Sequence, residues 1–558
     1  MEEKKKNSIA GVIFIVFIVL VMLIVIISKV VKGLGGDAGG GSNKAKSVDE
    51  LVKRVSYREN TPVKGSVDLS ASSLYDELPN IKKYPLTLED TSGDIDIEVF
   101  SSPEKAGKDA DSWLIDMAKA YNAEKHTVDG KTVSVSIRSI SSGIAADYII
   151  SGKYVPTGYT PSSELWGSYI DAQGGKVSVV EKKLVGNVAG FLVNKDSGYT
   201  DYKEVVAAVQ DGKLNVGYTN PQASTTGMNL LMTILSDGGD GNISSAEAVN
   251  AFSSFQKNIP YVATNTMQMR DSSASGSLDG MTMEYQSYIQ DTELQNSYDF
   301  IPFGTRHDNP MYYCSDSGAG SDAKKALENF SKYLKDSDAQ EAATNKGFNN
   351  NADYGSNKVI TGKDVKTALD VYKKEKDSGH DIIAVFVADV SGSMAGIPLA
   401  QLKESVSNGA KYINENNYVG LVSYSSDVTI EVPIAQMDLN QRAYFQGALD
   451  NLQASGNTAS YDALVVALKM IEDKKKDVPN AKVMIFLLSD GMANSGYTLE
   501  KVTPTIQKLK YPVYTISYGS EADQDEMKAV SEVNEAASIV ADSDDIVYQL
   551  KSLFNSNL

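Results

Sequence analysis

Two kinds of side chain that build metal and catalytic centres are scarce in this sequence. Cys314 is the only cysteine, and His126, His307 and His380 are the only histidines, in a chain of 558 residues. A single cysteine excludes an intramolecular disulfide, and we expect a buried thiol. No histidine lies near another or near the cysteine, which leaves little material for a zinc site or a Ser-His-Asp triad. We therefore predict that the protein is not an enzyme.

Basic residues are also in deficit. The chain carries 53 Lys and Arg against 72 Asp and Glu, a formal net charge of −19. Because a phosphate backbone selects Lys and Arg, this balance argues against nucleic acid as a partner. With 42% hydrophobic and 22% charged residues the composition is that of a globular protein. The length predicts two or three domains.

One long apolar run, residues 9–27, stands at the N-terminus. As a helix it would be about 28 Å long, which matches the hydrocarbon core of a bilayer. A cleaved signal peptide is the alternative, but no Ala-x-Ala-like site follows the run. We predict a single-pass cell-membrane protein with a cytoplasmic head (1–7), a transmembrane signal anchor (8–28) and a glycine-rich linker (29–46). Lysines on both sides of the span leave its orientation open, and we expect the bulk of the chain to be extracytoplasmic.

Residues 381–394, DIIAVFVADVSGSM, begin as an apolar run and end in oxygen ligands. The apolar half is rich in β-branched residues without a helical period, which is typical of a strand buried on both faces of a parallel sheet. Asp389, Ser391 and Ser393 follow it. One carboxylate and two hydroxyls are hard ligands that suit Mg²⁺ and not zinc. The alternative interpretation is an ordinary polar turn after a buried strand.

Two further stretches end in polar turns. Residues 482–490, KVMIFLLSD, form a second buried-strand pattern that ends in Asp490, and residues 455–458, SGNT, lead into a helical pattern and contain Thr458. In an open parallel α/β sheet, ligands sit at the carboxyl ends of the strands. We therefore expect these three turns to meet at one edge of a sheet.

The motifs DVSGSM, GNTASYDAL and FLLSDG, in that order, resemble the three loops of a von Willebrand factor A-type domain, to which we assign residues 381–558. The resemblance implies a doubly wound, Rossmann-like α/β domain with a metal-ion-dependent adhesion site for Mg²⁺ or another divalent cation such as Mn²⁺. Ser391, Ser393 and Thr458 would contact the cation, while Asp389 and Asp490 would hold it largely through water. The open coordination position would take an acidic side chain of a protein partner or surface ligand.

The middle of the chain alternates strand and helix patterns, which predicts an α/β fold. Small hydroxyl residues repeatedly follow a strand and precede a helix. Helix N-termini offer unpaired N–H groups, so turns of this kind facing one cleft could bind a polar or anionic solute. The alternative is that these residues are ordinary helix caps. The candidates are Ser101, Ser102, Ser141, Ser142, Ser162, Ser163, Ser224, Thr225 and Thr226.

These turns, with PSSELW, VAGFLVNK and GYTNPQASTTGMNLL, resemble a bacterial extracellular solute-binding protein of the type II periplasmic-binding fold. The resemblance implies two α/β lobes around a solute cleft, with sulfate, molybdate or phosphate as typical ligands. The turns contain no arginine to neutralise an anion, so the alternative that the solute site has been lost or altered is kept. We assign residues 47–355 to this domain and residues 356–380 to a connector that contains an amphipathic helix.

The apolar run and the two resemblances together predict a membrane-anchored, extracytoplasmic bacterial binding protein. In this interpretation a Mg²⁺-dependent A-type domain carries out protein or surface interaction, beside a solute-binding-like module. The alternative function is a solute receptor that feeds a membrane transporter, with the A-type domain as an accessory.

Overall fold

The computed structural model describes residues 46–541, except 71–72, 274–277, 352, 356–360, 377–380, 492, 519–523 and 535–537. The described residues form a mixed α/β fold with three principal sheets. The predicted head, membrane anchor and most of the linker lie outside them, as does the C-terminal end of the chain. Among the helices of the described ranges, none combines the length and the apolar character needed to cross a bilayer.

The described chain opens with a short helix and a short strand. The Ser47 hydroxyl caps the helix by accepting from the Glu50 amide, and the Glu50 carboxylate accepts from the Ser47 amide. The helix is α1 (Val48–Val52) and the strand is β1 (Tyr57–Glu59).

A two-lobed region follows. The first lobe starts with α2 (Leu74–Glu77), β2 (Leu86–Leu88), β3 (Ile95–Ser101), α3 (Pro103–Ala106), α4 (Trp113–Glu124), β4 (Thr127–Val128), β5 (Lys131–Ser139), α5 (Ser142–Ser151), β6 (Gly158–Thr160), α6 (Leu165–Ala172) and β7 (Val177–Glu181). The second lobe comprises β8 (Ala189–Asn194), α7 (Tyr202–Gln210), β9 (Val216–Thr219), α8 (Thr225–Gly238), α9 (Ala246–Gln256), β10 (Val262–Ala263), α10 (Thr266–Ser273), β11 (Gly280–Glu284), α11 (Tyr285–Gln290), α12 (Thr292–Ser297) and β12 (Tyr298–Pro302). The chain then returns to the first lobe with β13 (Met311–Cys314), α13 (Gly320–Tyr333) and α14 (Ser337–Asn345), and α15 (Gly362–Glu375) leads out of it.

Each lobe is built on its own sheet. The first has the strand order β2-β5-β3-β6-β13-β7, and the second has the order β10-β9-β11-β8-β12. Two segments cross between the lobes, and they touch where Asn187 and His307 form an antiparallel bridge. Cys314 is buried, as predicted.

The C-terminal domain is a mainly parallel sheet with helices on both faces. Its elements are β14 (Ile382–Asp389), α16 (Ile397–Ala410), β15 (Tyr418–Tyr424), β16 (Val428–Gln436), α17 (Leu439–Asn451), α18 (Ser460–Lys474), β17 (Lys482–Ser489), α19 (Leu499–Leu509), β18 (Val513–Tyr518), α20 (Gln524–Glu532) and β19 (Ser538–Ala541). The sheet order is β1-β16-β15-β14-β17-β18-β19, and the pairing of β16 with β15 is antiparallel, so β16 and β1 run opposite to the other five strands. Every residue of β14 is buried, which confirms the prediction of a strand covered on both faces.

The N-terminal boundary of the solute-binding-like domain was predicted wrongly. Strand β1 forms the edge of the C-terminal sheet, paired in parallel with β16. Val48, Leu51 and Val55 lie in the same core as β14 and α18. The predicted range 47–355 is therefore too broad at its start, because β1 is the edge strand of the seven-stranded C-terminal sheet. The spacing of three apolar residues shows that they need cover, but it does not show which sheet provides it.

The predicted connector helix is part of a core. Val365, Ala368, Leu369 and Tyr372 of α15 are buried in the same cluster as side chains of α6, α8 and α9. A β-carbon on Gly362 would lie 1.7 Å from the Ser168 carbonyl oxygen of α6, so the two helices are in backbone contact. The amphipathic pattern was recognised, but the helix completes the two-lobed domain instead of spanning a gap.

Candidate functional site

Three loops meet at the carboxyl edge of the C-terminal sheet. Strands β14 and β17 are parallel neighbours, with Ala388 beside Leu488, so Asp389 and Asp490 lie at the same edge of the sheet. The Gly392 amide donates to the Gly456 carbonyl at 3.0 Å and joins the first loop to the threonine loop. The Asn494 amide donates to the carbonyl of Thr458, also at 3.0 Å, and joins the third loop to the same point.

Four of the five predicted metal-site residues form one hydrogen-bonded chain. The Ser391 amide donates to Asp389 Oδ1 at 2.8 Å. The hydroxyls of Ser391 and Ser393 lie 3.0 Å apart, and Ser393 Oγ donates to Asp490 Oδ1 at 2.9 Å. The fifth, Thr458, belongs to the same loop cluster, but its hydroxyl faces Asn494 Nδ2 at 3.5 Å.

Three further side chains support this cluster, and sequence reasoning did not find them. Ser489 Oγ donates to Asp389 Oδ2 at 2.6 Å, and Tyr424 OH approaches the same oxygen at 3.4 Å. Asn494 Oδ1 accepts from the Thr458 amide at 2.9 Å. Ser489 could have been suspected because it precedes Asp490 at the end of a strand, but no pattern marks Tyr424 or Asn494.

Burial makes the two carboxyl groups of the cluster electrostatically costly. The Asp389 side chain is fully buried, which raises its pKa, and the nearby charge of Asp490 adds to the effect. Burial also raises the pKa of Asp490. No cationic side chain of the described residues counteracts either change. The cluster therefore suits an added positive charge.

The donor set fits a hard divalent cation. Within the described ranges, no group of three or more His, Cys, Asp or Glu side chains is arranged to hold a metal. Here two carboxyl groups stand beside three hydroxyl groups, and oxygen ligands of this kind are those that Mg²⁺ accepts. Ser393 is exposed and Asp490 half-buried, so the cluster opens to solvent on one side.

The structure also brings together the hydroxyl-rich turns of the two lobes. In the first lobe they follow β3, open α5 and precede α6, and in the second lobe they open α8. The Gly143 amide donates to the Ala223 carbonyl at 2.9 Å across the lobes, and Trp166 Nε1 donates to Thr225 Oγ1 at 2.9 Å. All nine predicted residues are buried: Ser101, Ser102, Ser141, Ser142, Ser162, Ser163, Ser224, Thr225 and Thr226.

Several of these hydroxyls do not act as helix caps. Ser102, Ser141 and Ser224 occupy N-cap positions, yet none of the three side chains makes a capping hydrogen bond. Ser102 Oγ instead accepts from Lys105 Nζ at 2.6 Å, and Thr226 Oγ1 donates to Glu284 Oε1 at 2.5 Å. The cap interpretation therefore fails for three of the predicted residues.

Charged side chains that the sequence did not single out lie among these turns. Lys105 is fully buried, donates to Asn309 Oδ1 at 2.7 Å, and has its pKa lowered to about 7 by burial. Glu284 and His307 are both buried, with Glu284 Oε1 2.9 Å from His307 Nδ1. The pairing with His307 keeps the pKa of Glu284 low despite its burial.

Other side chains hold the two lobes against each other. Thr266 Oγ1 of the second lobe donates to Glu104 Oε1 of the first at 2.8 Å. Gln286 Nε2 donates to Asp111 Oδ1 at 3.1 Å, and an Arg270 guanidinium nitrogen lies 3.6 Å from Asp111 Oδ2. The lobes are therefore in a closed arrangement.

Comparison with known families identifies both regions. Residues 384–555 match the von Willebrand factor type A domain family, and residues 106–349 match the bacterial extracellular solute-binding protein family. The chain joins a solute-binding domain to a von Willebrand factor A domain. Neither match covers half of the chain, so the assignment is made domain by domain.

Curated relatives match a part of the chain of about the length of one domain. Inter-alpha-trypsin inhibitor heavy chain H3 of Mus musculus is 28% identical over 173 residues, which are 29% of this chain and 19% of that protein. The Bos taurus protein of the same name matches to the same extent. This chain thus spans about a fifth of the length of these relatives.

Solved structures resemble both domains. A von Willebrand factor type A protein from Catenulispora acidiphila has 19% identity and a TM-score of 0.29, over 32% of this chain and 42% of that one. The sulfate-binding protein SubI from Mycobacterium tuberculosis has 16% identity and a TM-score of 0.35, over 46% of this chain and 88% of that one. A periplasmic thiamin binding protein has 12% identity and a TM-score of 0.40, over 50% and 96%.

Proposed function

We propose that this protein is a membrane-anchored, extracytoplasmic binding protein whose von Willebrand factor A domain captures a partner through a divalent cation. Mg²⁺ is the cation that the donor set favours, with Mn²⁺ as a substitute. The observation that carries the proposal is the chain of hydrogen bonds from Asp389 through Ser391 and Ser393 to Asp490. It collects two carboxyl groups that burial disfavours as anions and that no described cation relieves.

The five predicted residues would share the work of holding the cation. The hydroxyls of Ser391, Ser393 and Thr458 offer neutral oxygen ligands, and Asp389 and Asp490 supply the negative charge that attracts it. Because the direct ligands would be neutral hydroxyls and the two carboxylates would act largely through water, the cation keeps an open coordination position, which it would offer to an acidic side chain on a protein or surface partner. Ser489 and Tyr424 would orient Asp389 by donating to its second oxygen.

Calorimetric titration of the full chain with Mg²⁺ tests the metal site. We expect saturable binding to the wild type and none to Asp389→Ala. Asp473→Ala is the matched control, because this exposed carboxylate pairs with Lys469 and Lys476 far from the loop cluster. Equal Mg²⁺ affinity in the wild type and in Asp389→Ala would overturn the proposal. Partner capture, once a partner is found, should be abolished by a chelator.

Membrane anchoring through residues 9–27 is part of the same proposal. The support is the length and apolar character of this run in the sequence. Protease added to intact cells should degrade both domains while the cytoplasmic head survives. Full protection of the domains would reverse the topology.

A second function, solute reception for a membrane transporter, is favoured by a separate observation. Hydroxyl-rich turns of both lobes meet at one place. Three of the hydroxyl side chains at N-cap positions make no capping hydrogen bond. Thermal unfolding with a panel of small solutes at constant Mg²⁺ tests it. A ligand at about 100 times its dissociation constant should stabilise the domain by roughly 2.7 kcal/mol. No shift with any compound would leave partner binding as the function.

A further inference from the structure

The cleft between the lobes holds a buried carboxylate with one unsatisfied oxygen. Glu104 lies on α3, just after the end of β3, and its side chain is only 8% exposed. Its Oε1 accepts a hydrogen bond from Thr266 Oγ1 of the second lobe at 2.8 Å. Its Oε2 is buried and has no hydrogen-bond partner among the described residues. A buried carboxylate oxygen without a donor is strongly unfavourable, so such an atom points to a ligand.

The neighbouring charged groups make their hydrogen bonds with other partners, although the charges of Lys105 and Glu104 attract each other. The ammonium group of Lys105 donates to Ser102 Oγ and Asn309 Oδ1, at 2.6 and 2.7 Å. Asp111 is held by Gln286 and Arg270. Buried Glu284 pairs with His307. Each of these groups has a hydrogen-bond partner, whereas Glu104 Oε2 has none among the described residues and remains a free acceptor.

Two hydroxyls at the carboxyl ends of strands are also buried without a hydrogen-bond partner among the described residues. Thr160 ends β6 in the first lobe, where it pairs with Ser101 of β3, and Thr219 ends β9 in the second lobe. Both side chains are fully buried, and within the described residues neither hydroxyl has a hydrogen-bond partner. Each lobe therefore brings an unused polar oxygen to the edge where ligands of α/β sheets bind.

We propose that the cleft binds a small amine or guanidinium compound that donates an N–H hydrogen bond to Glu104 Oε2. The proposal rests on the solute-binding role proposed above and names its ligand class. A free carboxylate repels sulfate, molybdate or phosphate, whereas a cationic N–H donor satisfies both its charge and its acceptor. Thr160 and Thr219 would contact the other polar groups of the solute.

Thermal unfolding of the full chain in detergent, at constant Mg²⁺, tests the ligand class. Ethanolamine, putrescine and agmatine are the probes, and choline is the matched cation that lacks an N–H group. We expect saturable stabilisation by at least one probe, and none by choline or by sulfate, phosphate and molybdate. Stabilisation by an oxyanion or equally by choline would overturn the ligand class while leaving a solute receptor. No stabilisation by any compound would overturn the ligand class and the solute role together, without touching the Mg²⁺ site.

Glu104→Gln tests the residue itself. The amide keeps the acceptor for Thr266 but replaces the free acceptor with a donor. We expect the variant without ligand to unfold at the same or a higher temperature, and its affinity for the stabilising amine to fall about tenfold or more. Asp129→Asn, an exposed carboxylate paired with Lys325, should leave the affinity unchanged.

Unaltered amine affinity in Glu104→Gln would overturn the assignment of this residue. Should that variant fail to fold, Thr160→Val offers a second test, because it removes a hydroxyl and no charge. We expect Thr160→Val to fold and to bind the amine more weakly. Wild-type affinity in a folded Thr160→Val variant would then overturn the proposal.

Discussion

Ser393 Oγ donates a hydrogen bond of 2.9 Å to Asp490 Oδ1, across 97 positions of sequence. The hydroxyl is exposed and the carboxylate is half-buried, so both are accessible from the same side. This contact ties the loop after β14 to the loop after β17 at the point where the cation is proposed to bind.

The Ser393 hydroxyl should contribute directly to metal affinity. We expect Ser393→Ala to weaken Mg²⁺ binding by roughly tenfold or more. Mutation of residues that only hydrogen-bond to metal ligands already lowers metal affinity by that factor. Ser407→Ala is the control, because its hydroxyl also donates to a side chain of the same domain, Gln446, but at the contact between α16 and α17. Calorimetry that finds the two variants alike would exclude Ser393 as a ligand.

Asp389 should destabilise the domain when no metal is bound. In chelator we expect Asp389→Asn to unfold at a higher temperature than the wild type, because the variant removes a buried charge. Saturating Mg²⁺ should reverse this order, since only the wild type gains binding free energy. Thermal unfolding with and without chelator measures both. The same order of stability under both conditions would count against the metal site.

The N-terminal segment should determine the stability of the von Willebrand factor A domain. Leu51 is 1% exposed in that core, and we expect Leu51→Ala to cost about 2–5 kcal/mol. Val63→Ala is the control, because Val63 is 62% exposed.

Two probes separate the domains in this experiment. Both tryptophans, Trp113 and Trp166, lie in the solute-binding domain, so their fluorescence reports that domain alone. Circular dichroism reports both domains. We expect Leu51→Ala to lower the temperature of the circular-dichroism transition that has no counterpart in tryptophan fluorescence, and to leave the temperature of the fluorescence transition unchanged. A loss confined to the fluorescence transition would contradict the placement of this segment.

Lys105 should make the solute-binding domain more stable as the pH rises above neutrality. Burial lowers the pKa of Lys105 from 10.5 to about 7, so the folded state holds its proton less tightly than the unfolded state. Unfolding therefore takes up a proton between about pH 7 and 10, and the free energy of unfolding rises with pH in that window.

Replacing the amine should remove this dependence. We expect Lys105→Met to lack this rise in the free energy of unfolding. Between pH 7 and pH 9, urea unfolding followed by tryptophan fluorescence should therefore show the wild type increasing in stability relative to the variant. Lys195→Met, at an exposed position, is the control and should retain the wild-type slope. Parallel slopes for the wild type and Lys105→Met would refute the lowered pKa.

The contact between α15 and α6 should tolerate no side chain at Gly362. A β-carbon there would lie 1.7 Å from the Ser168 carbonyl oxygen, so Gly362→Ala must displace one helix and should cost about 1–3 kcal/mol. Gly355→Ala is the control, because nothing lies within 4 Å of its added β-carbon. Urea unfolding followed by tryptophan fluorescence measures both, and equal stability would show that α15 is loosely seated.

Local patterns were enough to predict much of the C-terminal domain. The apolar run before Asp389 and the one before Asp490 form the strands that their composition indicates, and the polar turns lie at the carboxyl ends of those strands. The same holds for the hydroxyl-rich turns of the two lobes, each of which precedes a helix. These features depend on residues close together in the chain, which is why they can be read from it.

The partners of these groups could not be read in the same way. Tyr424 reaches Asp389 from a neighbouring strand, and Asn494 reaches Thr458 from a different loop. Glu104 and Thr266 come from opposite lobes, 162 positions apart. Their meeting depends on strand order and lobe closure, for which the residues themselves carry no local signal.

The sequence by itself determined which segments are apolar and which turns carry oxygen ligands, because composition and periodicity act over a few residues. Only the tertiary structure decided that α1 and β1 pack on the C-terminal domain and that α15 packs in the core of the two-lobed domain. It also decided that, within the described residues, Glu104 Oε2 is left without a hydrogen-bond donor. Burial of an apolar face is favourable against any complementary surface, because the hydrophobic effect is non-directional. The fold as a whole therefore determines which surface covers it.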